Sequence, residues 1–420
     1  NKQNGGNKML LEFKTKNYKS FVEEASFSMV AAPKQKGLDY SLMKTKIKGK
    51  EIKGLSSSVI YGPNAAGKTN IIGAMDVLRS IVLRGNIRNS EEKSSPNPAA
   101  SALELIPNNN ELKPKPVCFE IEFYEEDGEE HKFKIHYELQ IDLGTFLEEE
   151  YQRKILAEVL EVNGERLFER REGLKVENLK VIKDYLSDIT EQNAESINEI
   201  AKNSLNQEEL FLTNGFKLIF SPKFTKLIVD WFANKFMVIY RADSMQLIKR
   251  FADPKKKAVY VEKTTDEAAK LFGINSNTVG YVVSDDEPDA KLYSVFKNMK
   301  DQKTTAVAAD IFESYGTIRF INMFPLVIKA MQTGGTLVVD EFDASIHPMA
   351  LMSIINAFHN DDVNIHHAQL VFNTHNPIFL NSNLFRRDEI KFVERDDDTH
   401  DSVLYALSDF GTTGDKGVRK

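Results

Sequence analysis

Residues 62–69 read Gly62-Pro63-Asn64-Ala65-Ala66-Gly67-Lys68-Thr69, the pattern G-x-x-x-x-G-K-T, with Asn70 immediately after it. Glycines let such a loop turn tightly and aim successive backbone N–H groups at one point, and the helix that follows adds the positive end of its dipole. The nest formed this way takes polyphosphate: Lys68 is placed to neutralise β and γ oxygens, and the Thr69 hydroxyl to ligate Mg2+. A second run, Leu337-Val338-Val339-Asp340-Glu341, is apolar until it ends in two carboxylates. A strand inside a parallel sheet is apolar on both faces, so its carboxylates come at the C-terminal tip, where ligands of such sheets sit. Asp340 is expected to reach Mg2+ through water, and Glu341 to orient and deprotonate the attacking water. A third run, Gln369-Leu370-Val371-Phe372, leads into Thr374-His375-Asn376, where His375 can hydrogen-bond the γ-phosphate or the attacking water. The chemistry encoded is binding and hydrolysis of a nucleoside triphosphate, with ATP and Mg2+ as the small molecules required.

Glu313-Ser314-Tyr315-Gly316-Thr317-Ile318-Arg319 opens the helix before the 337–341 strand. Ser314 and Gly316 suit a helix cap and a second anion site equally, since both use a hydroxyl and N–H groups at a helix start. If two chains pack head to tail, each can lay this helix on the other's nucleotide, giving a two-fold ATP sandwich and hence a homodimer. Lys44, Lys46, Lys48, Lys50 and Lys53 alternate along one segment, and Lys249-Arg250 lies near Lys255-Lys256-Lys257. Each group reads as a solvated face, with a track for a nucleic-acid backbone as the alternative. Asp396-Asp397-Asp398 with Asp401 reads as an acidic turn between strands rather than a nuclease metal site.

These residues need elements to hold them. Residues 58–61 form the strand feeding the phosphate loop, and 68–84 the helix leaving it. Leu10 to Phe21 and Ala25 to Ala32 read as an opening strand pair. Val117 to Tyr124, Lys132 to Ile141 and Tyr151 to Val162 are further strands, the first two joined across Glu125-Glu126-Asp127-Gly128. Gly85 to Ser101 is a polar surface tract, and from Asn178 to Asn234 apolar residues recur at helical spacing with no sustained heptad repeat. After Thr305 the order is helix 316–333, strand 336–340, helix 348–359, strand 368–373, and short strands near 389–395 and 402–406. That alternation predicts a mostly parallel sheet with flanking helices. The fold class expected is α/β, a P-loop NTPase with a mixed sheet, an antiparallel β-subdomain and an inserted helical subdomain. The divisions are 9–165, a mainly helical insert over 166–304, and 305–420, which completes the first part.

Composition sets bounds. At 420 residues two or three lobes are expected. Hydrophobic residues at 41% and charged residues at 28% are those of a soluble globular chain. Lys plus Arg at 55 against 62 acidic residues gives a net charge of -7, no global attraction to nucleic acid. The single cysteine, Cys118, allows no intrachain disulfide and no thiolate zinc cluster, which fits the cytoplasm. No apolar run approaches the roughly 20 residues of a membrane span. Residues 1–8 are Asn/Gly-rich without an apolar core, so they read as a cloning remnant ahead of Met9 and not as a signal peptide.

In their order, the motifs resemble the ABC-type ATPases that include SMC-like and OLD-like proteins. They are GPNAAGKTN at 62–70, ESYGTIR at 313–319 as a divergent signature, LVVDE at 337–341, FDASIHP at 342–348 as a D-loop, and NTHNP at 373–377 with the switch histidine. The resemblance implies an ABC/SMC-like arrangement in which the D-loop crosses a two-fold axis. Ser345 and His347 then meet a partner chain, a plain helix start at Pro348 being the equal alternative. More narrowly, MLLEFKTKNYKSF at the start, Arg241-Ala242-Asp243-Ser244, and the ESYGT and SIHP variants look like the AAA-family ATPases of bacterial abortive-infection and restriction-linked loci. These are the AbiLi/RloA type, related to the ATPase subunit of the PARIS anti-phage system. That likeness implies an ATP-dependent sensor acting with a separately encoded effector, a Toprim-type nuclease or another toxin. The alternative is an SMC-like ATPase of DNA repair or chromosome maintenance that grips nucleic acid directly. Two departures stand out: Ala102-Leu103-Glu104-Leu105-Ile106 lies where a glutamine loop is sought, and the signature lacks LSGGQ, which disfavours a transporter role.

Overall fold

The computed structural model describes residues 8–33, 35, 37–47, 49–88, 103–108, 115–127, 131–144, 152–186, 194–203, 205–240, 258–260, 278–284, 287–297, 304–344 and 346–410. The chain opens with antiparallel β1 (Met9–Lys16) and β2 (Ala25–Ser28), then a hairpin of β3 (Leu42–Ile47) and β4 (Lys50–Leu55). Next comes β5 (Ser57–Tyr61), buried along its whole length, and after the phosphate loop α1 (Lys68–Arg84), which Gly85 ends in a left-handed cap at φ 73°. Strands β6 (Val117–Glu126), β7 (Lys132–Asp142), β8 (Lys154–Val162), β9 (Glu165–Arg170) and β10 (Leu174–Val176) follow as an antiparallel meander. In β7 the buried residues are Phe133, Ile135, Tyr137, Leu139 and Ile141, the period-two pattern of a sheet with one face on a core.

Helical turns follow at 179–185, in α2 (Ala194–Asn203), at 212–219, in α3 (Pro222–Asp230) and at 231–235. β11 (Phe236–Ile239) comes directly after them. A four-stranded antiparallel sheet follows, made of β12 (Ala258–Tyr260), β13 (Thr278–Ser284), β14 (Glu287–Lys297) and β15 (Thr304–Ala308). The last part comprises α4 (Tyr315–Thr333), β16 (Thr336–Val339), α5 (Pro348–His359), β17 (Gln369–Asn373), β18 (Ile390–Arg395) and β19 (Ser402–Ala406).

Two large sheets position the site. The first has the order β10-β9-β8-β7-β6-β1-β2; the second, β11-β16-β17-β5-β18-β19, is parallel except for β19. In the second sheet successive residues face opposite cores. Ile60, Val338 and Val371 pack with α1, the antiparallel sheet and the helical turns, while Val59, Leu337 and Phe372 pack with α4 and α5. The first core is rich in rings: Trp231 stacks on Phe123 at 3.9 Å and on Phe236 at 5.0 Å between centroids. Buried Gln369 fastens one sheet to the other. A bulge between Leu10 and Glu12 breaks the β1–β6 ladder, and the Leu10 N–H donates to Gln369 Oε1 at 2.6 Å while Gln369 Nε2 donates to Leu10 O at 3.2 Å and Leu55 O at 2.8 Å.

The α/β class, the strand pairs and the C-terminal alternation are as expected. Among the described residues of the 166–304 stretch, expected to be mainly helical, strands stand beside the helical turns. Phe236-Met237-Val238-Ile239, which continues the apolar run of the helical stretch, becomes the edge strand beside β16, and a separate β-sheet follows. Expectations for most of the 85–101 tract, Lys48, the 241–244 segment, the 249–257 cluster and Ser345 fall outside the described residues. Asp396 closes a turn, its Oδ1 accepting from the N–H groups of Asp398 and Thr399 at 2.9 and 2.8 Å. Among the described residues no helix is long and apolar enough to cross a membrane.

Candidate active site

β5 sits centrally between β17 and β18, so its last residue, Tyr61, delivers the phosphate loop to the C-terminal edge of the parallel sheet. Pro63, Asn64 and Ala65 are exposed at the loop tip, and Ala66, Gly67 and Lys68 are buried beneath it. Ala65 at φ 61° and Gly67 at φ 111° are both left-handed, the backbone that a tight anion-binding turn uses. A side chain at Gly67 is excluded, because its Cβ would fall 2.6 Å from Ser402 Oγ and 2.9 Å from Ser20 Oγ. Those two hydroxyls brace the loop from behind. Ser402 Oγ lies 2.6 Å from Ala66 O and 2.7 Å from Ser20 Oγ, and Asn70 Nδ2 donates to Ser20 Oγ at 2.8 Å. Gly67, the N-cap of α1, offers no capping side chain, which leaves the helix start suited to an anion.

Lys68 is 5% exposed, and its ammonium donates to Gly62 O at 2.8 Å and Pro63 O at 2.7 Å. Burial pushes its pKa down, against the opposing charges of Asp340, Glu341 and Asp343. His375 Nδ1 stands 3.4 Å from the same nitrogen, at the tip of the strand next to β5. Thr69 Oγ1 donates to Asp340 Oδ1 at 3.1 Å, across from helix to strand. A hydroxyl and a carboxylate held edge to edge are the hard oxygen donors that Mg2+ takes together with water, so the residues fit that ion.

Asp340 is buried, and Asn373 Nδ2 donates to its Oδ1 at 2.5 Å. The Asn373 carbonyl oxygen accepts the N–H of Glu341, so one carboxamide fixes both acidic residues. Glu341 has φ 50°, uncommon for a residue with a side chain, and its side chain is exposed toward solvent. On its other side the Glu341 carbonyl accepts from Arg319 Nη2 at 2.5 Å, and the Asp340 carbonyl from the same nitrogen at 3.3 Å. Thr374 donates its hydroxyl to Asp343 and accepts the N–H of Asn376 at 2.9 Å, which sets the backbone on both sides of His375.

The structure thus brings Lys68, Thr69, Asp340, Glu341 and His375 to one sheet edge. Ser314 and Gly316 are elsewhere in use: Ser314 Oγ accepts the N–H of Thr317 at 3.1 Å as the N-cap of α4, and Gly316 is in its first turn. His347 likewise caps α5, with Pro348 at the first position. Sequence reading passed over Asn373 and Arg319, although both stand inside quoted motifs, and over Ser20 and Ser402, which no local pattern marks. It also missed a polar knot where the glutamine loop was sought. Glu104 Oε2 accepts from Lys19 Nζ at 2.7 Å and from the Tyr240 hydroxyl at 2.8 Å, and the Tyr240 ring lies against Gly73 of α1.

Three solved structures are similar at low identity. The SMC head domain from Thermotoga maritima has 13% identity and TM-score 0.34, covering 94% of this chain and 98% of that one. An SmcHead bound to the C-winged helix domain of ScpA has 12% identity and TM-score 0.39, covering 94% and 97%. An Smc head domain with an extended coiled coil bound to the C-terminal domain of ScpA, derived from Pyrococcus furiosus, has 12% identity and TM-score 0.41, covering 96% and 97%. No curated protein matches the chain. Residues 57–381, from the strand before the phosphate loop to just beyond His375, match one family, and the chain belongs to it: AAA domain, putative AbiEii toxin, Type IV TA system.

Proposed function

We propose that this AAA-family ATPase hydrolyses ATP between two copies of itself, as the regulator of a toxin-related bacterial defence system. The observation that carries the reading is the Thr69–Asp340 contact with Glu341 one residue beyond and His375 beside Lys68. In this arrangement the loop amides and Lys68 hold the β and γ phosphates, and Glu341 takes the proton of the attacking water. His375 hydrogen-bonds the γ-phosphate or that water, and Thr69 and Asp340 would hold Mg2+, which when bound would supply neutralisation of phosphate charge. Ser314 and Gly316 sit at an exposed helix start, apt for the nucleotide of a second copy, and Ile311, Phe312 and Tyr315 beside them are exposed, as an interface would use. The family description places such domains with toxin–antitoxin systems, which supports an effector protein as partner, a nuclease or other toxin.

Lys68→Ala is expected to abolish nucleotide binding, and Glu341→Gln to bind ATP, lose turnover and accumulate as a nucleotide-bound dimer in light scattering. Undiminished hydrolysis by Glu341→Gln removes the base from the scheme. A second reading, direct DNA binding, draws on exposed Lys44, Lys46 and Lys53 of the β3–β4 hairpin, where Lys44 pairs with Lys53 across the strands. It calls for DNA affinity that falls with salt and with neutralisation of these lysines. Glu51, opposite Lys46 and 3.7 Å from Lys53, weakens that field.

A further inference from the structure

Arg319 is 6% exposed, forms no ion pair among the described residues, and has a buried Nε without a hydrogen-bond partner there. A guanidinium held this way is costly, because desolvation is not offset by a carboxylate. What it does hold is backbone: Nη2 donates to the carbonyls of Asp340 and Glu341, at 3.3 and 2.5 Å. Glu341 is the residue at φ 50° whose N–H is taken by Asn373. Its two flanking peptides are therefore gripped from opposite sides, by Asn373 of β17 and by Arg319 of α4. Such a grip is what keeps a side-chain-bearing residue in a left-handed conformation, and strained residues held by their surroundings concentrate where a group must be aimed. The helix that carries Arg319 begins five residues earlier at Ser314, with exposed Tyr315 at its tip.

We propose that Arg319 is a positioning residue that ties the exposed start of α4 to the backbone of Glu341, so that a ligand or second chain seated on that start alters the aim of the carboxylate. The inference rests on Glu341 being the base. It adds a route by which one half-site reports to the other within a single chain.

Arg319→Met and Arg319→Lys, with Glu341→Gln in parallel, test it by steady-state hydrolysis, nucleotide binding and thermal unfolding. Arg319→Met is expected to lower kcat by about 10- to 100-fold while KM and nucleotide Kd stay within about threefold, the pattern of a misaimed group. Arg319→Lys, which keeps the charge but not the fork, should recover part of kcat. It carries the test through the same split if Arg319→Met does not fold. Wild-type kcat in folded Arg319 variants, beside an inactive Glu341→Gln, overturns the inference alone, as does a kcat that falls only in step with binding. Full turnover by Glu341→Gln overturns the base assignment, and the inference with it.

Discussion

Asn373→Ala isolates the residue on which both carboxylates depend. The wild-type side chain is 1% exposed, donates to Asp340 Oδ1 at 2.5 Å and accepts the Glu341 N–H. The bond to a carboxylate is worth about 1.5–3 kcal/mol and the amide bond about 0.5–1.5, so truncation forfeits about 2–4.5 kcal/mol. Asp340 retains Thr69 at 3.1 Å, but Glu341 loses the anchor that offsets its left-handed backbone, a conformation costing about 1–2 kcal/mol. The turn then relaxes toward ordinary φ and carries the carboxylate with it. A displacement of about 1 Å costs on the order of 100-fold in rate, so kcat is expected to fall at least tenfold while KM changes little. Phosphate release under steady state, set beside binding of a fluorescent nucleotide and a thermal unfolding curve, separates the contributions. Asn373→Asp is the sharper companion, since it places a second carboxylate at hydrogen-bond distance from Asp340 and removes the donor. Variants that melt earlier but keep wild-type kcat when folded would refute the reasoning and leave Asn373 a packing residue.

Gly73→Ala gains about 1 kcal/mol of helix propensity, yet its Cβ would meet the Tyr240 ring at 3.0 Å, and that ring is tied through its hydroxyl to Lys19 and Glu104. Overpacking at about 1–3 kcal/mol should win, lowering the unfolding midpoint, with Tyr240→Ser restoring it; a stabilised single variant counts against the knot being rigid. Glu125, buried with an unpartnered Oε2 and paired with Lys235 at 3.0 Å, has its pKa pushed by burial from 4.5 up to about 7. Between those values the folded state binds the extra proton, so stability is highest below about pH 4.5, falls as pH rises, and has lost up to about 3 kcal/mol above about pH 7. Denaturant unfolding at pH 5 and pH 8 should show that slope in the wild type and not in Glu125→Gln, and equal slopes would dismiss it.

The parts of the site that were legible in the sequence are those whose chemistry is local. A phosphate loop needs only its own backbone and the next helix, so Gly62 to Asn70 announce it, and β16 advertises Asp340 because a strand buried on both faces can carry charge only at its end. Asn373 and Arg319 act at a distance of 32 and 22 residues from Glu341, through contacts that exist only once β16, β17 and α4 are packed. Ser402 reaches Ala66 across 336 residues, and Ser20 reaches Asn70 across 50. No periodicity marks a hydroxyl that will brace a loop from another strand. β11 was hidden for a different reason: four apolar residues directly after helical turns fit the helical pattern as well as a strand, and only pairing with β16 decides between them.

Two strand tips, those of β16 and β17, and two helices, α1 and α4, therefore share a single set of bonds. Asn373 spans β17 to β16, Arg319 spans α4 to the turn after β16, Thr69 spans α1 to β16, and Thr374 ties the loop of His375 to the segment after Glu341. Each bond crosses between elements and all of them end on residues 340–343, so a shift of any one of these elements is felt at that turn. A bare phosphate loop has no such property. It holds polyphosphate through its own amides whether or not its neighbours move, whereas in the proposed scheme, with Glu341 as the base, hydrolysis requires that residue to stay aimed by residues of two other elements. On that proposal binding and turnover are separable by mutations outside the loop, the separation that a regulatory ATPase would use: nucleotide would be held while the base waits for a signal delivered through α4.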